Sequence, residues 1–319
     1  MFDYYEEKTN THEQLSQITD SKMLYYLGIS EWSQKIISYG KTLYNNSSFA
    51  YDTEGIYLID KLEVSFMSDE NYSCLKKNNM QIGNIILTKE KGKEKHFHHQ
   101  FKITVEDFSF GYINFHSTAN ESFHKIEISN ECLYVKCGMY ILENLFELAN
   151  HFTFKFSNTC MYELARDTAR NYYGELSNIH LQSDRCQKQL YDIYKSEPRY
   201  SFTGRRMKIF QTTDILNPKY GTYKIGSSNS DTQLKVYVKS HELKKWKEKK
   251  NYISEIHNQY FKNAQEICRT EVIANSKAFK KRNLELFDLL IPEKHPKIFQ
   301  SLLGDKLKFT DLRTKYWDK

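Results

Sequence analysis

Proline and glycine are scarce in this chain of 319 residues, with 4 Pro and 12 Gly. So few glycines exclude a collagen-like or elastic repeat. So few prolines, beside 15% aromatic residues, argue against a disordered chain. No run approaches the ~18 consecutive apolar residues of a membrane span. Among the longest apolar stretches, Leu284–Ile291 is broken by Glu285 and Asp288. The first seven residues, Met1-Phe2-Asp3-Tyr4-Tyr5-Glu6-Glu7, lack the basic and apolar regions of a secretory signal. The six cysteines (Cys74, Cys132, Cys137, Cys160, Cys186, Cys268) contain no C-x-x-C spacing. They read as reduced thiols in a cytoplasmic protein, with neither a disulfide set nor a zinc site, and no membrane partner is expected.

What is abundant is tyrosine: 24 Tyr, with 20 Phe and 3 Trp. Hydrophobic residues make up 39%, enough for a real core, and the length suits one large domain or two ordinary ones. The net charge of +6 is mild. Its distribution is not: Lys235 to Lys250 holds seven lysines against Glu242 and Glu248, a local excess of five positive charges. Such a segment is either a solvated helix face or a phosphate contact.

Residues 11–45 carry Leu15, Ile18, Met23, Leu24, Leu27 and Trp32 near helical spacing, with Thr11 as an N-cap. Strand patterns follow at 54–66, 82–88, 100–105, 108–116 and 123–129, and an amphipathic helix at 139–151. Further strands are expected at 160–168, 207–212, 221–226, 232–239 and 268–274. Helices are expected at 177–195 and 243–266 and in a tail broken near Pro292 and Pro296. Lys125-Ile126-Glu127-Ile128-Ser129-Asn130 is echoed by Arg269-Thr270-Glu271-Val272-Ile273-Ala274-Asn275, a weak internal repeat. The predicted fold is therefore α+β: two related antiparallel-sheet repeats with helices packed on one face. Helical additions lie at both ends. In residue terms, 1–50 is a helical N-terminal segment, 51–280 the two-repeat region (51–155 and 156–280), and 281–319 a helical C-terminal segment.

Three stretches can carry chemistry. On the strand holding Lys235, Tyr237 and Lys239, alternation puts all three on one face. Two ammonium groups beside a phenol favour the phenolate and suit a phosphate. The same pattern also fits an ordinary surface tyrosine in a hairpin. In Met161-Tyr162-Glu163-Leu164-Ala165-Arg166-Asp167, Glu163 and Asp167 share a face, and Glu271 follows on a later strand. Carboxylates from neighbouring strands suit a hard divalent cation, Mg²⁺ or Mn²⁺. They equally suit pairing with Arg166, Arg170 and Arg269. Finally, His96-Phe97-His98 matches the His-hydrophobic-His pair of one nickase superfamily, but lies in a charged stretch that reads as a solvated or DNA-facing loop.

In their order these segments resemble the replication initiators of Gram-positive rolling-circle plasmids, the replication initiation factor (Rep_trans) family, with conjugative relaxases as close relatives. The family's Y-x-G-S-R-x-S turn corresponds to Tyr223-Lys224-Ile225-Gly226-Ser227-Ser228-Asn229-Ser230. Its basic-[IV]-Y-x-K-x-x-E strand corresponds to Lys235-Val236-Tyr237-Val238-Lys239-Ser240-His241-Glu242. Its acidic strand matches at Glu163 and Asp167, its R-x-E strand at Arg269-Thr270-Glu271, its earlier [RK]-[VI]-E-[FI]-x-N at Lys125–Asn130, and its first aspartate strand around Ile59-Asp60. The resemblance spans roughly residues 55–280. It departs from the family at Ser228, where arginine is usual, and at Glu163, where aspartate is.

The resemblance implies a metal-dependent enzyme that nicks and rejoins one strand of origin DNA through a phosphotyrosine. Tyr237 would be the nucleophile and Glu163, Asp167 and Glu271 the ligands of Mg²⁺ or Mn²⁺. Lys235, Lys239, Ser227 and Ser230 would contact DNA. Implied partners are single-stranded or cruciform origin DNA, a host helicase and a second copy in a homodimer, in a bacterial cytoplasm. A relaxase of the same chemistry and a non-catalytic DNA-binding protein are the alternatives.

Overall fold

The structure, a computed structural model, describes residues 49–303 except 53, 71, 91–95, 170–178, 182–198, 205–206, 215–216, 226–228, 246–249, 263 and 265, together with 309–311. The helix expected at 11–45 and the turn at Gly226-Ser227-Ser228 lie outside the described residues. Of the helix expected at 177–195, residues 179–181 are described and form a strand. That strand pairs with residues far along the chain, which a local pattern does not register.

The chain opens with β1 (Phe49–Tyr51) and the long β2 (Gly55–Met67). A 3-10 turn at Ser73–Lys76 leads to β3 (Asn79–Ile82) and β4 (Ile85–Lys89). The single strand expected at 82–88 is thus a hairpin. Gly83 adopts the φ of +50° that a two-residue turn needs. β5 (Phe97–Val105) and β6 (Phe108–Ser117) are joined at Glu106 and Asp107, both with positive φ. β7 (Phe123–Ile128) runs into α1 (Asn130–Val135), capped by Ser129, whose Oγ accepts from the Cys132 N–H at 3.1 Å. Then come α2 (Gly138–His151) and β8 (Lys155–Thr168). α2 buries Ile141, Leu142, Leu145 and Leu148, the stripe its spacing predicts.

β9 (Ile179–Leu181), β10 (Arg199–Gly204), β11 (Met207–Asp214), β12 (Asn217–Ile225) and β13 (Thr232–Val238) follow. In place of the one helix expected at 243–266 the described residues show α3 (Lys239–Lys245) and α4 (Asn251–Tyr260). β14 (Cys268–Asn275) leads through an Asn275 cap to α5 (Ser276–Lys280), then α6 (Leu286–Leu290), a 3-10 turn at Pro292–Lys294, α7 (His295–Leu303) and β15 (Phe309–Asp311). Both halves of the weak repeat are therefore strand-to-helix junctions with a polar cap. No helix among the described residues is long and apolar enough to cross a membrane.

The fold is α+β with antiparallel sheet, and it divides into two compact units. The first gathers Val64–Glu127 and Gly138–Asn158. Its strands run in the order β7-β6-β5-β4-β3. Its core is an aromatic cluster: Phe115 lies 4.9 Å from Phe152 and Phe66 5.4 Å from Phe154, centroid to centroid. The second gathers Asn46–Glu63, Ile128–Cys137 and Thr159–Lys319. Its strands run β10-β11-β12-β13-β14-β8-β2, with β1 on β2, while β9 and β15 form a separate pair. One face of β13, β14 and β8 carries Leu234, Val236, Val272, Tyr162 and Leu164, all buried. The C-terminal helices close it: the Tyr162 hydroxyl donates to the Leu289 carbonyl at 3.1 Å. The other face carries the polar residues described next, with α1 and α4 over it. Gly55 lets β2 begin close against β8, since a Cβ there would lie 2.4 Å from the Asp167 carbonyl oxygen.

Each unit buries a neutral histidine. His124 is fully buried and stacked on Phe154. His295 is fully buried, with Nε2 donating to the Leu289 carbonyl at 3.0 Å. Burial pulls both imidazoles down from 6.5 to about 4. The unfolded chain therefore takes up protons before the folded one does, and stability falls as pH drops from about 6.5 to about 4. Each histidine contributes roughly 2–3 kcal/mol to that loss. Thermal unfolding should show a clearly lower Tm at pH 4.5 than at pH 7.5. His295→Gln should flatten the dependence, and an unchanged profile in that variant would contradict the assignment.

Candidate active site

Alternation along four strands of the second unit delivers the polar face. Tyr237 on β13 pairs with Arg269 on β14, which pairs with Asp167 on β8. One step along, Lys235 pairs with Glu271, which faces the small Ala165. Two residues further, Ile273 of β14 pairs with Glu163. Asp60 comes from β2, the next strand after β8.

Arg269 is the hub. It is fully buried, and its Nε and Nη2 donate to Asp167 Oδ1 and Oδ2, both at 2.6 Å, a bidentate fork. Its Nη1 donates to Asp60 Oδ1 at 2.7 Å and lies 3.8 Å from Glu271 Oε1. His257 of α4 places Nε2 2.7 Å from Asp167 Oδ2. Burial works to raise the Asp167 carboxyl, but Arg269 and His257 outweigh it and hold it well below the usual range. Asp60 Oδ1 also accepts from the Tyr134 hydroxyl at 2.6 Å and from Asn130 Nδ2 at 3.0 Å. Tyr252 of α4 steadies Asn130 through a 2.6 Å hydrogen bond to its Oδ1. Among the described residues, the hydrogen-bond donors to the Asp60 carboxylate all take Oδ1. Burial opposes the charge on Asp60 too, yet Arg269, Lys239 and these donors keep its carboxyl low.

Asp60, Glu163 and Glu271 each bring one oxygen to a common place, all within 4.8 Å of one another. Among the described residues this is the one group of three or more metal-ligating side chains so gathered. Three hard oxygen donors with no sulfur or imidazole suit Mg²⁺ or Mn²⁺. The charge count agrees: Asp60, Glu163, Asp167, Glu271 and Glu242 set five carboxylates against four Lys and Arg cations, Arg269, Lys235, Lys239 and Lys250. Burial, and after it the Asp60 charge, push the Glu271 carboxyl up, as expected where negative charges crowd. Asp167 stands outside the three-carboxylate group, both its oxygens being committed to Arg269 and His257.

Tyr237 stands at this group. Its hydroxyl donates to Glu271 Oε1 at 2.5 Å, and Lys239 Nζ lies 3.4 Å from the same hydroxyl and 5.6 Å from the ring centroid. The flanking lysines do not favour the phenolate, as the sequence alone suggested. Burial, and after it the Glu271 charge, push the phenol well above its ordinary value. Lys239 is also not a strand residue. It opens α3, is almost fully buried, and donates to Glu242 Oε2 at 2.9 Å. Burial and Arg269 lower its ammonium. Lys235 Nζ lies 3.3 Å from Glu163 Oε2 and 3.3 Å from Glu271 Oε2.

Of the remaining expected residues, Ser227 lies outside the described residues. Ser230 immediately precedes Asp231 at the head of β13, and its carbonyl accepts from Asn275 Nδ2 at 3.4 Å. His98 belongs to the first unit, where it lines a polar cavity of about 390 Å³ with His99, His116, Asp69, Glu70 and Glu121. Nothing in the sequence marks Asn130, Tyr134, Tyr252 or His257 for a role here, or Arg269 for more than pairing. Asn130 and Arg269 lie inside the Lys125–Asn130 and Arg269-Thr270-Glu271 motifs.

No family model matches the chain, and no curated protein matches it. Among solved structures it is similar to a rolling circle replication initiator protein from Geobacillus stearothermophilus, at 14% identity and a TM-score of 0.40. The likeness covers 82% of this chain and 89% of that one. A likeness so distant assigns no residue and no activity.

Proposed function

We propose that this protein is a replication initiator that nicks and rejoins one strand of DNA through a phosphotyrosine at Tyr237, with a divalent metal held by Asp60, Glu163 and Glu271. One observation carries the reading: the Tyr237 hydroxyl is hydrogen-bonded to Glu271, a member of the three-carboxylate group. The order of motifs from Asp60 to Glu271, which resembles that of rolling-circle initiators, agrees with it.

Tyr237 Oη attacks a backbone phosphorus, and the bond from phosphorus to the 3′-oxygen breaks. The products are a 5′-phosphotyrosine and a free 3′-hydroxyl, which can prime synthesis. The phenol proton has its acceptor in place, Glu271 Oε1, and the departing 3′-oxygen takes a proton from water. A bound Mg²⁺ or Mn²⁺ would supply Lewis acidity, polarising the phosphate and offsetting charge as it builds. Lys239 adds positive charge at the attacking oxygen. In the reverse direction the 3′-hydroxyl attacks the phosphotyrosine, and Tyr237 leaves with its proton restored. Asp167 and His257 act through Arg269, which fixes Asp60.

The test uses a supercoiled plasmid carrying the DNA that flanks this protein's own coding sequence. Incubation with Mn²⁺ should relax the plasmid and leave protein covalently attached on a denaturing gel. EDTA should abolish both. An adduct indifferent to EDTA would remove the metal from the mechanism. No adduct under any condition would favour a non-catalytic DNA-binding protein.

A further inference from the structure

Of the cations on the polar face, Arg269, Lys239 and Lys235 differ in how firmly they are held. Arg269 has no exposed surface and is locked by its fork to Asp167. Lys239 is 1% exposed and tied to Glu242, which Lys250 holds in turn at 2.7 Å. Lys235 is different. Its side chain is 25% exposed, and its Nζ sits 3.3 Å from an oxygen of Glu163 and 3.3 Å from one of Glu271. Both carboxylates belong to the group that gathers within 4.8 Å. An ammonium is a compact charge on a flexible four-carbon stem. Lys235 therefore stands where a cation is wanted, and has a path to solvent.

We propose that Lys235 is a built-in competitor of the metal, bridging Glu163 and Glu271 until a divalent cation takes them, and then turning to a phosphate of the bound strand. The inference rests on the reading of Asp60, Glu163 and Glu271 as the metal site, and adds a linkage between metal and DNA. In the metal-free protein the Lys235 charge is satisfied internally, so it offers little to DNA. A metal bound to the carboxylates frees it. A DNA phosphate that engages Lys235 withdraws it from the carboxylates and so favours the metal. Because the coupling is one free energy, each ligand must raise the affinity for the other by the same factor. The consequence is a site that assembles metal and strand together. The register supplies the geometry: Lys235 lies on the face of Tyr237, two residues before it on β13, so a phosphate it holds flanks the attacking oxygen.

The test is a Mn²⁺ titration, followed by electron paramagnetic resonance of the free ion, on the full chain with and without a single-stranded oligothymidylate. Lys235→Met should bind Mn²⁺ roughly tenfold more tightly than the wild type in the absence of DNA, because the internal rival is gone. Oligothymidylate should tighten Mn²⁺ binding by the wild type several-fold and leave that of Lys235→Met unchanged. Lys235→Gln, which keeps a polar head without the charge, should behave as Lys235→Met does and guards against a packing defect. Circular dichroism establishes that each variant is folded. If the wild type binds Mn²⁺ and both variants bind it equally or more weakly, the competition is overturned and the metal site stands. If neither wild type nor variants bind Mn²⁺ with or without DNA, the metal site itself fails, and this inference with it.

Discussion

Tyr237→Phe should bind DNA about as well as the wild type and leave it uncut. The ring stays, so the contact with the Lys239 ammonium at 5.6 Å survives. Lys239 keeps Glu242 and Glu271 keeps Lys235, so no buried charge is stranded. What goes is the attacking oxygen and its hydrogen bond to Glu271. A nucleophile has no substitute in its own site, so the rate of plasmid relaxation should fall by roughly 10⁴-fold or more. Affinity for oligonucleotide, set mostly by phosphate contacts, should stay within about threefold. Relaxation at a near-normal rate by this variant would end the assignment. Simultaneous loss of cutting and binding would point to a structural role for the phenol.

Arg269→Met should be the most damaging substitution in the second unit. The guanidinium is fully buried and neutralises Asp167 and Asp60 together. Without it Asp167 is a buried carboxylate whose remaining partner is His257. Asp60 would keep Tyr134 and Asn130 but lose its nearest charge. Breaking a buried pair on one side costs about 3–5 kcal/mol, because the partner charge is left behind. Urea unfolding monitored by circular dichroism should register that loss. Adding Asp167→Leu to Arg269→Met should recover the part owed to Asp167, whose carboxylate is then no longer stranded, while the part owed to Asp60 remains. A single-variant loss under about 1 kcal/mol would mean the hub is dispensable.

Much of the site is legible in one dimension because strands alternate. Tyr237 and Lys235 are two apart on β13, and Arg269 and Glu271 two apart on β14, so each pair shares a face without further knowledge. Glu163 and Asp167 share a face on the same ground, yet distance separates them. Four residues of strand span about 13 Å, too far for both carboxylates to reach one ion. That arithmetic was available from the sequence. Asp60 stands in the motif order, but its place beside Glu163, more than 100 residues away, does not: it arrives there only because β2 lies beside β8. The same holds for His257 and Tyr252. They reach the strands from α4, and nothing local marks a helical histidine as the partner of a strand aspartate. The sign of the Tyr237 shift was also hidden. Counting lysines along the strand favours the phenolate, but burial and the carboxylate across the sheet decide the matter. Arg166 has a similar lesson. It could have paired with the metal-site carboxylates, but its side chain lies on the opposite face of β8 from Asp167 and bonds Asp52 at 2.9 Å and Glu54 at 3.4 Å.

In the proposed mechanism one tyrosine, set against three carboxylates, becomes joined to DNA. The decisive measurement is to trap the covalent product with Mn²⁺, digest the protein and locate the nucleotide by mass spectrometry. Nucleotide mass is expected on the peptide carrying Tyr237, and should be lost in Tyr237→Phe. Nucleotide on the peptide of any other tyrosine, Tyr134 and Tyr252 included, would contradict it.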